Sequence, residues 1–220
     1  MPKKSSHPDV WRIGQSDDEL RDAPTVYRDD LFKDKVVLVS GAGSGLGRGI
    51  AALFARLGAT LAICGRDEER VASAAKFFES LGAKVHMQLM SIRDPDHVEN
   101  LMDGIWERFG RLDVLVNNAG GQFPQEAIEF SDKGWKAVVD TNLNGTWYMM
   151  QRAAQRWRDK KQQGNIINII AIHDRGMPGI AHTGAARAAV ENLSKSTAVE
   201  WAPYGIRVNC VAPGTVSTPG

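Results

Sequence analysis

Between Ala181 and Val190 the chain reads AHTGAARAAV, which sets the Thr183 hydroxyl and the Arg187 guanidinium four residues apart. On a helix that spacing places both on one face. A threonine hydroxyl can donate a hydrogen bond but is far too weak an acid to ionise usefully, whereas a guanidinium stays charged and donates in a fixed fork. The pair can hold hydroxyls or steady charge that develops on a carbonyl oxygen. It cannot hand over a proton as a phenol would. Asn142, in the helical stretch NLNG, is a third polar candidate, although bonding a backbone carbonyl and kinking its helix is the plainer role. His173, Asp174 and His182 could each supply a proton, and the sequence does not choose among them. His182 reads more readily as a surface residue at a helix start.

A second signal is SGAGSGLG, where Gly41, Gly45 and Gly47, with Gly43 as an extra, follow the apolar run VVLV and open a helical stretch. Glycines there let the backbone turn sharply and approach a pyrophosphate, while the helix N-terminus offers unpaired N–H groups and partial positive charge. An ordinary glycine-rich turn is the alternative. The next apolar run ends AICGRDEER, where the adenosine ribose of a dinucleotide would lie. NAD selection there usually needs a carboxylate, but this chain has Arg66, which can pair with a 2′-phosphate in bidentate fashion. NADP(H) is therefore favoured over NAD(H), with Asp67 a possible competitor for the guanidinium.

The elements that must position these groups alternate. Apolar runs at Val36 to Val39, Thr60 to Cys64, Lys84 to Met90, Leu112 to Val116, NIINIIA and IRVNCVAPG are separated by helical stretches. Those stretches run from Gly45 to Leu57, through DEERVASAAKFFESL and DPDHVENLMDGIWERFG, from about Ser131 to Arg158, and through TGAARAAVENLSKSTAVEWAP. Continuous apolar runs suit strands covered on both faces, so the expected fold is α/β, a doubly wound parallel sheet (Rossmann fold) with helices on both faces. Residues 1–30 read as a polar N-terminal extension containing Trp11 and Tyr27, able to wrap an edge or a neighbouring subunit. Residues 31–220 read as a single dinucleotide-binding catalytic domain.

With 43% hydrophobic residues the 220-residue chain can bury one sizeable core. Lys plus Arg, 27, nearly balances Asp plus Glu, 26, which leaves no electrostatic footprint for nucleic acid or an acidic membrane surface. There is no signal-like apolar segment and no run of membrane-spanning length. Cys64 and Cys210 sit in apolar runs and read as reduced core residues, so a cytoplasmic setting is expected, with no metal site.

Taken in order, SGAGSGLG, NNAG (Asn117, Asn118, Ala119, Gly120), NLNG and VNCVAPG resemble the motifs of the short-chain dehydrogenase/reductase superfamily over residues 33 to 220. That resemblance implies a cofactor-binding set of Gly41, Ser44, Gly45, Leu46, Gly47, Arg66, Ser91, Ile92, Asn118, Ala119, Gly120, Arg187, Pro213, Gly214, Val216 and Thr218. It implies Asn142, Thr183 and Arg187 as the catalytic set, Asn142 organising a water-linked proton path. It also implies a homo-dimer or homo-tetramer, with Trp147, Trp157 and Trp201 in the core or at an interface. The chain departs from the family where a Ser, a Tyr and a Lys are usual, carrying Ile170, Thr183 and Arg187 instead; Ser91 replaces an adenine-side Asp.

The departures point to a substrate. Reducing a carbonyl requires a proton at oxygen, whereas reducing a double bond conjugated to a thioester needs only donors that steady an enolate oxygen. The segments NNAGGQF, TNLNGTWYMMQ and HTGAARAAVENL are similar to a branch that includes peroxisomal trans-2-enoyl-CoA reductase and bacterial citronellol or citronellal dehydrogenase-like proteins. That branch implies NADPH-dependent reduction of a conjugated C=C bond, the alternatives being an alcohol or aldehyde dehydrogenase of terpenoids and a non-catalytic NADP(H)-binding protein. Glu191 stands where the mammalian member has a tyrosine. The chain stops at VAPGTVSTPG, before the point where the family's substrate lid and last strand would follow, so a truncated sequence is expected.

Overall fold

A computed structural model describes residues 14–218; the remainder, Trp11 included, lies outside the described residues. Strands β1 (Val36–Ser40), β2 (Thr60–Gly65), β3 (Val85–Leu89), β4 (Val114–Asn117), β5 (Gly164–Ile169) and β6 (Ile206–Val211) form one sheet in the order β3-β2-β1-β4-β5-β6. All five pairings are parallel. Connecting them are α2 (Gly45–Arg56), α3 (Glu68–Ser80), α4 (Pro95–Phe109), α5 (Asp132–Val139), α6 (Gly145–Lys160) and α7 (Ala181–Trp201), with a short α1 (Asp17–Asp22) ahead of the sheet. The doubly wound fold is the one the alternation of runs predicts.

Because successive strand residues point to opposite faces, β1 feeds two cores. Val36 and Leu38 join Leu101 and Ile105 of α4 and Met149 and Met150 of α6. Val37 and Val39 join Ala51 and Ala55 of α2 and Ala74 and Phe78 of α3 on the other side. The expectation of strands buried on both faces holds for β1 but fails towards the edges. On β3, Met87 and Leu89 are each 44% exposed. Along β6, Ile206 and Val208 are buried while Arg207 and Asn209 face solvent. Both strands lie at the edges of the sheet, with a neighbouring strand on one side only.

The helix expected from Ser131 to Arg158 is broken by a π-helical turn at Asp140–Asn144, between α5 and α6. Thr141 donates its hydroxyl to the Ala137 carbonyl at 2.8 Å and Thr146 to the Asn142 carbonyl at 3.0 Å. Hydroxyls bonded back into the helical ladder are a recognised source of such bulges and bends, often at functional sites. The N-terminal segment also holds more order than its composition suggests. Ser16 and Glu19 form a reciprocal capping box that starts α1, a pattern present as S-x-x-E in the sequence.

Cys64 is buried in the core and Cys210 half-buried, both as free thiols; burial pushes the Cys64 thiol up to about 12. No helix among the described residues is long and apolar enough to cross a membrane. Of the three tryptophans expected in the core or at an interface, Trp157 is in the core and Trp147 and Trp201 are half-buried. Trp147 and Trp201 stack with ring centroids 6.3 Å apart, and Trp157 is completely buried. The Trp157 indole N–H donates to the Leu112 carbonyl at 2.7 Å, tying α6 to the approach of β4. Trp157→Phe would remove that donor, leave a buried carbonyl unsatisfied and open a small void, at a cost of about 2–3 kcal/mol. The expected fall in the thermal unfolding midpoint is about 4–12 °C, read by circular dichroism.

Candidate active site

Strands β1 and β4 lie side by side, yet the chain leaves them towards opposite faces, and the crevice between is the usual ligand position in such sheets. Ser40 and Asn118 stitch its floor. The Ser40 hydroxyl accepts from the backbone N–H of Asn118 at 3.1 Å and of Ala119 at 3.0 Å. The Asn118 amide donates in turn to the carbonyls of Ser40 and Gly41, at 3.1 and 3.2 Å. Gly41 turns through a left-handed φ of +67°, and a Cβ on Gly47 would stand 2.3 Å from the Gly41 carbonyl oxygen. Only glycine lets α2 come this close.

The start of α2 is chemically open. Ser44 occupies the N-cap without bonding its side chain to the helix, and the first turn carries no acidic residue. Its amide groups and the positive end of the dipole are left for an anion. They face a cleft of ≈1120 Å³ lined by Gly41, Ser44, Gly45, Leu46, Arg66, Ser91, Ile92, Asn118, Ala119, Gly120, Asn142, Thr183, Arg187, Pro213 and Thr218. Gly47 lies behind that surface as packing. Two further residues expected in the cofactor set are not brought to it: Gly214 has open space beside it and Val216 is 48% exposed. Residues 212–218 form neither helix nor strand, and only some of their side chains turn inward.

At the end of β2, Arg66 is exposed and lines the cleft. Asp67 is not its competitor. Its carboxylate caps α3 by accepting the Arg70 backbone N–H at 3.0 Å and pairs with the Arg70 guanidinium at 3.3 Å. Arg70 also lines the cleft, four residues beyond Arg66 in the chain. Arg93 lines it too, donating to the Thr141 hydroxyl at 2.5 Å. No local pattern in SIRDPD marks that contact, because it depends on the π turn.

At the other end, Asn142 is buried and clamps the Gly121 peptide, its amide donating to the Gly121 carbonyl and its oxygen accepting the Gly121 N–H, both at 2.9 Å. The side chain bonds a neighbouring segment, not its own helix. Thr183 is 4% and Arg187 8% exposed, side by side on α7, with Ile170 at the end of β5 adding an apolar wall. The Arg187 Nη1 has no hydrogen-bond partner, and no ion pair among the described residues includes this guanidinium. Burial alone pushes it down to about 10, so it remains charged at neutral pH. A buried, unpaired charge costs several kcal/mol, which a ligand accepting its hydrogen bonds would offset. Gly120 makes room for it, since a Cβ there would collide with the Arg187 Nη2.

The expected surface position of His182 is overturned. It is fully buried, stacked on Phe130 with centroids 4.4 Å apart and edge-on to Phe123 at 4.6 Å. The Thr183 backbone N–H lies 2.8 Å from its Nδ1 and also donates to the Ile180 carbonyl at 2.9 Å. His173 is bonded through Nε2 to Glu191 at 2.8 Å, and Glu191 to Lys195 at 2.5 Å. Lys195 and then His173 hold the Glu191 carboxyl below its ordinary range. Asp174 points outward, 83% exposed. None of these candidate proton sources lines the cleft.

The geometry has parallels. Residues 35–220 match the family model described as short chain dehydrogenase. A probable 2,4-dienoyl-CoA reductase of Bacillus subtilis is 38% identical over 86% of this chain and 75% of its own length. Peroxisomal 2,4-dienoyl-CoA reductase of Rattus norvegicus is 38% identical over 96% of this chain and 71% of its own. Among solved structures, a citronellol catabolism dehydrogenase of Pseudomonas aeruginosa superposes with a TM-score of 0.82 at 37% identity, covering 86% of this chain and 78% of that one. With its glycine loop, its sheet order and its cleft at the β1/β4 crevice, the chain belongs to the short chain dehydrogenase family of NAD(P)-dependent oxidoreductases.

Proposed function

We propose that the protein is an NADPH-dependent reductase of a C=C bond conjugated to the thioester carbonyl of an acyl-CoA, either a 2,4-dienoyl-CoA or a trans-2-enoyl-CoA. The observation that carries this reading is a reaction end equipped with donors but no acid. Thr183 and Arg187 line it beside Ile170, and among the described residues the acids that line the cleft, Cys64 and Asp67, lie at its β2 end. The names of the dienoyl-CoA reductase relatives support the same substrate class.

When bound, the nicotinamide supplies hydride to the far carbon of the conjugated system. Arg187, buried and lacking a partner, is suited to holding the nicotinamide ribose. Thr183 can donate its hydroxyl to the thioester oxygen as electrons move onto it. Asn142 fixes the Gly120–Gly121 backbone against which the guanidinium lies. The completing proton then goes to carbon from solvent, so no phenol-grade acid is needed at oxygen. Arg66, with Arg70 one turn away, is the proposed clamp for the 2′-phosphate of NADPH, and Asp67 leaves it free by pairing with Arg70.

A terpenoid alcohol or aldehyde is the second reading, favoured by the likeness to the citronellol catabolism dehydrogenase. NADPH absorbance followed against a 2,4-dienoyl-CoA, crotonyl-CoA, longer enoyl-CoAs and citronellal separates the two. Oxidation of NADPH by the thioesters is expected; turnover of citronellal alone would sink the proposal. Arg66→Ala should weaken NADPH binding about 10- to 100-fold, the worth of a charged hydrogen-bonded contact, and leave NADH binding unchanged in calorimetric titration. Arg187→Met removes a buried unpaired charge and should hold or raise the thermal midpoint, stabilising by about 1–4 kcal/mol. In that variant turnover should fall at least about 100-fold. Loss of stability without loss of turnover would make Arg187 a structural residue.

A further inference from the structure

The N-terminal helix reaches the phosphate loop through one side chain. Arg48, in the first turns of α2, donates to both carboxylate oxygens of Asp17 on α1, from Nε at 2.8 Å and from Nη2 at 2.6 Å. Its remaining terminal nitrogen, Nη1, donates to the Gly43 carbonyl at 3.3 Å, and Nη2 also meets the Ser73 hydroxyl of α3 at 3.4 Å. The guanidinium lies 5.2 Å from the centroid of the Phe77 ring, with only 15% of its side chain exposed. Gly43 lines the cleft, so this contact holds a residue of the loop that faces the ligand position.

Several contacts hold α1 in place. Arg56, two turns along α2, donates to the Leu20 carbonyl at 3.1 Å and to the Ala23 carbonyl at 2.6 Å, capping the far end of α1. Leu20 packs beside Gly49, where an added Cβ would meet its Cδ2 at 3.7 Å. A bidentate arginine–carboxylate pair is strongly directional, and here one oxygen pair sets the plane from which Nη1 points at Gly43. Without Asp17 the guanidinium keeps its charge and its ring contact but loses the constraint that aims it.

We propose that α1 is a positioning element of the cofactor site: Asp17 orients Arg48, which holds the Gly43 carbonyl and presets the loop that receives the pyrophosphate. The claim rests on that loop being the phosphate site, as under the proposed function. Residues 14–23 are then part of the binding machinery and not a separate tail. Ligand affinity is coupled to the docking of α1 through a chain of packed polar groups, at the scale of about fivefold or more.

Three proteins test it: wild type, Asp17→Asn, and the exchanged pair Asp17→Arg with Arg48→Asp. The exchange restores opposite charges between α1 and α2 but leaves a carboxylate that cannot donate to the Gly43 carbonyl. NADPH affinity should fall at least about fivefold in Asp17→Asn and stay weak in the exchanged pair, although the exchange recovers the thermal midpoint. Amide hydrogen exchange in Gly43–Gly47 should quicken in both, without a matching change in β4 or β5. Wild-type affinity and wild-type loop exchange in Asp17→Asn would overturn the proposal, as would recovery of affinity in the exchanged pair. If the wild type binds neither NADPH nor NADH, the cofactor reading fails, while loop exchange still reports on whether Asp17 positions Gly43.

Discussion

The contact on which the site depends is the approach of α2 to the carboxyl ends of β1 and β4. Gly47 sits where any side chain would strike the Gly41 carbonyl and the Asn118 amide, and that amide is what ties the glycine loop to β4. Ser40 adds a hydroxyl that accepts from two successive backbone amides across the crevice. Strand order, loop and helix start are thus locked into one unit, and the unsatisfied amides of α2 are aimed by it at the cleft. Widening this contact would move the anion-receiving end of the helix away from the groups on β4, β5 and α7 that must work with it.

Against that rigid end the reaction end is assembled from distant chain segments. The π turn gives Asn142 a position from which it clamps Gly121, and Gly120 beside it leaves room for Arg187. A guanidinium buried to this degree with a partnerless nitrogen is costly in the isolated protein, and a ligand that accepts its hydrogen bonds would relieve that cost. Thr183, one helical turn away, adds a neutral donor. Together they form an environment suited to electron density arriving on an oxygen, and poor at protonating one.

Much of this was legible from the residues because local rules coincided with global ones. The sequence runs mark strands and helices to within a few residues, since parallel strands in the middle of a sheet must be apolar throughout. Edge strands such as β3 and β6 broke the rule, because burial there depends on which helices cover them. The burial of His182 could not be read either: its neighbours Phe130 and Phe123 lie far away in the chain and meet it only after folding. Arg70 and the capping box at Ser16 do leave a trace in residue spacing. The pairing of Asp17 with Arg48 does not, since an ion pair between segments has no periodic pattern.

The most direct test of a donor-only reaction end follows the hydrogen atoms. NADPH carrying deuterium at the transferable position is turned over with a 2,4-dienoyl-CoA or an enoyl-CoA in ordinary water, and the product is analysed by mass spectrometry and nuclear magnetic resonance. A reductase of conjugated thioesters should place the deuterium on the far carbon of the conjugated system and a solvent hydrogen on the carbon that completes the reduction. Deuterium on the carbonyl carbon of an aldehyde such as citronellal, with none delivered to any acyl-CoA, would contradict it.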